Sequence, residues 1–168
     1  NHPDRLQAED PHFVPAILEQ ASQMGLRTIA LSEALGGAGA DTLTACVVAE
    51  ELAAGDIGFA ATLARTSELG HVLFDQAMND AQRKQFLDKF VSDDNYHLAY
   101  AGCDRECDDG GWNYYRADKS DVEIPVVATK QGGDLVLNGT YKFVANAPLA
   151  KLIAVRSEEH TSELQSPM

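Results

Sequence analysis

The chain has 168 residues, 45% hydrophobic and 23% charged, the composition of a folded domain rather than a disordered segment. Thirteen basic residues against 26 acidic ones leave a formal charge of −13, which excludes the clustered basic face that nucleic acid or an anionic membrane surface requires. Three cysteines build no disulfide framework, nothing resembles a secretory signal and no apolar run spans a bilayer, so a reducing cytoplasm is the expectation.

In chain order, Asp10 with Pro11 after it reads as a helix start, and Phe13, Ile17, Leu18 and Ala21 recur at helical spacing up to a stop at Gly25. The apolar piece "LRTIAL" leads into the glycine-rich "SEALGGAGA". Asp41 then caps a second helix, "TLTACVVAEELAA", closed by Gly55. Apolar or small residues cover most of its circumference, so it is expected to be deeply buried, with Cys46 as a small hydrophobe inside it. A third helix is expected from Asp56 through "IGFAATLARTSELGHVLFDQA", and a fourth, "AQRKQFLDKFV", capped by Asp80. From Tyr96 the pattern changes to short β-type runs, "YHLAYAG", "IPVVATK", "DLVLNGTYKFVA" and "KLIAVR", separated by Gly, Asp and Pro. Helices first and strands second is an α+β order, not an alternating βαβ one.

Several constellations have a plain structural explanation. "GGAGADT" has two glycines at dinucleotide spacing, but Thr42 stands at the third position and no acidic residue follows a second strand, so a loop ending in the Asp41 cap explains it. Cys103 and Cys107 lack the further pair of ligands that zinc needs. His71 sits among Leu69, Val72 and Leu73 with no nucleophile in sight. Residues 104–123 hold seven acids and three basic residues, the composition of a solvated loop.

Three stretches in order carry a resemblance. "LSEALGGAGADTLTACVVAEELAAGDIGFAATLA", with Glu50 and Glu51 closing its helix, resembles the N-terminal helical domain of acyl-CoA dehydrogenases. "NDAQRKQFLDKFVSDD" is similar to that family's next helix, and "LVLNGTYKFVANAPLAKLIAVR" to its middle β-domain. The resemblance implies an N-terminal all-α helical bundle domain, residues 1–95, followed by an incomplete antiparallel β-domain, residues 96–155. It implies an FAD-dependent oxidoreductase that desaturates an acyl-CoA thioester, passes electrons to an acceptor and forms a homo-oligomer. Two segments would lie against the flavin: Tyr100, Ala101, Gly102 and Cys103, largely through backbone groups, and Phe143, Val144 and Ala145. Phe143 replaces the family's usual tryptophan and Ala145 its usual threonine, while Cys103-Asp104-Arg105 and a longer acidic insertion replace its Thr-Glu-Pro turn.

The family's catalytic glutamate belongs to a later helical bundle, so no residue here is assigned to it and the chain is expected to be inactive by itself. "RSEEHTSELQSPM", residues 156–168, resembles a translated sequencing adapter and is expected to add no native element. The competing reading is a non-catalytic helical interaction or oligomerisation module whose altered flavin motif binds nothing.

Overall fold

The computed structural model describes residues 13–102 and 124–160; among them, four α-helices precede five strands, an α+β arrangement. Helix α1 (Phe13–Gln23) buries Leu18 and Ala21 against Leu63, and the chain leaves it where Gly25 adopts φ 81°, a conformation glycine takes without a Cβ penalty. "LRTIALSEALGG" then forms two 3₁₀ turns, Leu26–Thr28 and Glu33–Leu35. The N–H groups of Gly37, Gly39 and Ala40 donate to the carbonyls of Ser32, Leu31 and Ile29 at 3.0, 2.8 and 2.9 Å. A Cβ on Gly37 would sit 2.1 Å from the Leu31 oxygen, so the glycine is there for close backbone packing.

Helix α2 (Thr42–Gly55) starts where the Asp41 carboxylate accepts from Thr44 N–H at 2.8 Å. It packs on α3 (Ile57–Gly70), yet it has no fully buried residue, contrary to the burial expected from its composition. Leu43 and Val47 are 73% and 50% exposed, and Cys46 is exposed rather than a core residue. Apolar residues all round a helix bury it only when neighbours exist on every side, and among the described residues α3 covers one side. Asp56 joins the two helices: its N–H caps α2 through Leu52 O, and its carboxylate accepts from Phe59 N–H at 2.7 Å to start α3.

The third helix does not run uniformly to Ala77. It widens at His71 into a π-type turn, His71–Ala77. Helix α4 (Asp80–Ser92) is capped by Asn79 in a reciprocal box with Gln82, and Asp80 occupies its first turn instead of the cap position. Its buried Phe90 stacks on Phe74 (centroids 4.9 Å apart), meets Tyr96 edge-on and lies beneath the Arg27 guanidinium at 4.6 Å.

Strand β1 (His97–Ala101) pairs with β4 (Ala150–Val155) in a two-stranded sheet. Strands β2 (Val126–Gln131) and β3 (Asp134–Gly139) form an antiparallel hairpin with Gln131 opposite Asp134, turning at Gly132 (φ 64°). The expected strand through "DLVLNGTYKFVA" stops at Gly139; residues 140–149 are loop and turn. Strand β5 (Glu158–His160) pairs in parallel with β2, Val127 opposite Glu158, where the sequence led to no expected element. The described chain divides into a helical unit, residues 13–99 with 145–152, and a second unit, residues 100–102, 124–144 and 153–160.

Candidate functional site

β1 is the most enclosed strand among those described: His97, Leu98, Ala99 and Ala101 are buried and Tyr100 is half-buried. Of the first predicted flavin segment, Tyr100 and Ala101 end this strand and Gly102 follows it, also buried; Cys103 lies outside the described residues. The Ala101 carbonyl accepts from Arg156 N–H at 2.8 Å, which continues the register beyond β4.

The second predicted segment lies on the loop between β3 and β4. Phe143 is 81% exposed and has φ 57°, the left-handed region that a bulky side chain rarely enters. Val144 is half-buried and Ala145 exposed. Tyr141, two residues before Phe143, donates its hydroxyl hydrogen to Arg156 O at 2.7 Å. The main chain of Arg156 therefore bonds both to Ala101 of the first segment and to Tyr141 of the loop carrying the second.

Asn146 follows directly, and its role is not readable from spacing. It also has positive φ, 63°. Its Nδ2 donates to Thr62 O at 2.9 Å and Thr66 Oγ1 at 3.3 Å, with Leu98 O at 3.5 Å. Its carbonyl accepts from Leu149 and Ala150 N–H, both at 2.9 Å, closing the turn that opens β4. Thr66 is fully buried and lies 3.4 Å from Nδ1 of buried His97. Burial holds the His97 pKa below its ordinary value, and the Arg27 charge adds to the effect. Arg27 is buried as well, donating from Nη1 to Tyr96 O at 3.2 Å; burial lowers its pKa against the attraction of Asp94 and Asp93. The hydrogen bond from Lys151, at 2.5 Å, keeps the Asp93 carboxyl below the usual range.

A groove of about 680 Å³ runs beside α2 and α3, lined by Leu26, Val48, Ala49, Leu52, Ala60 and Leu63 among others, with His71 also on its wall. His71 Nδ1 bonds Asp75 at 2.8 Å and its Nε2 is occupied by Gln76 at 2.8 Å, so neither ring nitrogen faces the groove as an unengaged base. Burial pushes the Asp75 carboxyl up, but hydrogen bonds from Ser32 and His71 outweigh it and leave the pKa lowered. Among the described residues no group of His, Cys, Asp and Glu is arranged for a metal ion, and no helix is long and apolar enough to cross a membrane.

The sequence matches the family model of the acyl-CoA dehydrogenase N-terminal domain over residues 1–94, more than half of the chain. The chain belongs to the acyl-CoA dehydrogenase family. Isobutyryl-CoA dehydrogenase, mitochondrial, of Dictyostelium discoideum is 26% identical over 140 residues, covering 82% of this chain and 30% of the relative. The chain thus spans about 30% of the length of that curated relative. The matched region holds the four α-helices found among the described residues, and with them Thr62 and Thr66, to which Asn146 bonds.

Proposed function

We propose that this chain forms the helical N-terminal domain, residues 1–95, and the first flavin-side strands, residues 96–155, of an FAD-dependent oxidoreductase acting on an acyl-CoA thioester. The observation that carries the reading is Phe143, a bulky aromatic residue 81% exposed on a left-handed backbone. Strain of that kind costs on the order of 1–3 kcal/mol and gathers at ligand-binding positions. An exposed ring on a loop tied by Tyr141 to the strand end that holds Ala101 suits a flat, partly apolar ring system. Main-chain groups of Tyr100, Ala101, Gly102 and Cys103 would border that ring system on one side, with Phe143, Val144 and Ala145 on the other. Bound there, FAD would supply a hydride acceptor; this chain's residues would orient it and shield one face from water.

The base that removes the substrate α-proton is proposed to belong to a region of the parent protein outside the matched segment, and the parent is proposed to be a homo-oligomer. The 168-residue chain is accordingly expected to bind added FAD reversibly, measured by quenching of flavin fluorescence. It is also expected to reduce no electron acceptor when given acyl-CoA. A parent protein that purifies colourless, takes up no FAD and turns over no acyl-CoA would overturn the reading.

One observation favours the second reading, an interaction module: Leu43 and Val47, one turn apart on α2, are 73% and 50% exposed. Apolar exposure concentrated at one place suits contact with a second copy of the chain.

A further inference from the structure

We infer that Asn146 is the positioning residue of the flavin-facing loop, anchoring the point where Phe143–Ala145 rejoins the helical unit; the inference rests on the flavin reading above. Its side-chain amide has two N–H donors and meets acceptors from two elements, Thr62 O and Thr66 Oγ1 on α3 and Leu98 O on β1. Its own carbonyl meanwhile takes both Leu149 and Ala150 N–H, so one residue closes the turn and fastens it to the fold. The backbone at Asn146 is left-handed, which asparagine tolerates better than other residues of its size.

The anchor extends inward. Thr66 Oγ1 accepts from Asn146, which leaves the hydroxyl hydrogen available to His97 Nδ1 at 3.4 Å. Asparagine thus meets three requirements at once: a left-handed backbone, a short side chain and amide hydrogens. Aspartate keeps the first two and sets a carboxylate against three oxygens. Glycine keeps only the first.

The test uses the 168-residue chain with Asn146→Asp, Asn146→Gly, Thr66→Val and Thr66→Ser. Hydrogen exchange of the Leu149 and Ala150 amides reads the anchor, and titration with FAD reads its consequence. Visible circular dichroism of the flavin at saturation separates a moved loop from a merely less stable protein. Both Asn146 variants are expected to exchange about tenfold faster at Leu149 and Ala150, to bind FAD about tenfold more weakly and to alter the flavin band. Thr66→Val should show the same changes at a few-fold, and Thr66→Ser, which keeps the hydroxyl, should restore wild-type behaviour. Unchanged exchange and FAD affinity in both Asn146 variants overturn the inference, as does an altered affinity with an unaltered flavin band. If neither the wild-type chain nor the parent protein takes up FAD, the flavin reading fails, and the exchange rates still decide whether Asn146 anchors the turn.

Discussion

Gly70 and Gly55 are both helical glycines, and replacing each by alanine should shift stability in opposite directions. Gly70 lies where α3 continues into the π-type turn, so intrinsic propensity favours alanine by about 0.5–1 kcal/mol. The added Cβ, however, would stand 3.0 Å from Cζ and 3.1 Å from Cε1 of Phe90. That ring has little room to yield. It is fully buried, stacked on Phe74 at 4.9 Å, flanked by Tyr96 at 6.2 Å and covered by Arg27 at 4.6 Å. Overpacking of this kind costs about 1–3 kcal/mol, more than the propensity gain, so Gly70→Ala should lose about 1–2 kcal/mol. At Gly55, the last residue of α2, the new Cβ meets nothing within 4 Å, and Gly55→Ala should gain up to about 0.5–1 kcal/mol. Urea denaturation followed by far-ultraviolet circular dichroism measures both. In a Phe90→Leu background the penalty of Gly70→Ala should shrink towards zero, because a leucine vacates the space the Cβ needs. A Gly70→Ala chain as stable as wild type, or an equal gain at both sites, would show that the aromatic cluster is looser than its geometry and would refute the reasoning.

Two further outcomes follow from charge and exposure. Burial holds the His97 pKa below its ordinary 6.5, so the unfolded chain takes up a proton there before the folded one does. The His97 contribution to stability is therefore fully present above about pH 6.5 and is lost as pH drops below that value. The urea midpoint should be lower at pH 5.5 than at pH 8, by a margin that shrinks in His97→Gln; equal margins in both proteins would reject the assignment. At the other site, replacing Leu43 and Val47 by lysine should raise solubility and shift light-scattering mass towards the monomer while leaving the melting curve nearly unchanged, because neither side chain is buried. A large loss of stability would show that the two side chains support the fold instead.

The helical half was largely legible because its signals are local. Asp41 before Thr44, Asp56 before Phe59 and Gly25 after α1 mark helix ends by hydrogen-bonding capacity and backbone freedom, and the structure uses all three. Asn79 displaced Asp80 as a cap because a reciprocal bond with Gln82 needs a three-residue spacing that only Asn79 has. The exposure of α2 is not legible in its sequence for a different reason. Periodicity reports which faces are apolar, whereas burial depends on how many neighbours arrive, and "TLTACVVAEELAA" carries no information about that number. The π-type turn at His71 leaves no mark in residue type, since Leu69 to Ala77 would serve equally in an α-helix.

The loop after β3 was the least legible segment, and its energetics explain why. "GTYKFVANA" reads as a strand because Tyr, Phe and Val favour extended backbone, yet Phe143 and Asn146 both take positive φ. For Asn146 the excursion is cheap; for Phe143 it costs on the order of 1–3 kcal/mol. A local cost of that size persists only when surrounding bonds fix the chain on both sides. Upstream of Phe143, the Tyr141 hydroxyl holds Arg156 O; downstream, Asn146 engages Thr62, Thr66, Leu149 and Ala150. Each such bond contributes about 0.5–1.5 kcal/mol net, so the set is large enough to offset the strain. The partners of Asn146 on α3 lie 84 and 80 residues away in sequence, beyond the reach of any local pattern. Phe143 is therefore flanked in sequence by a hydrogen-bonded residue on each side, Tyr141 before it and Asn146 after it, and that bracketing is what lets a costly backbone excursion persist.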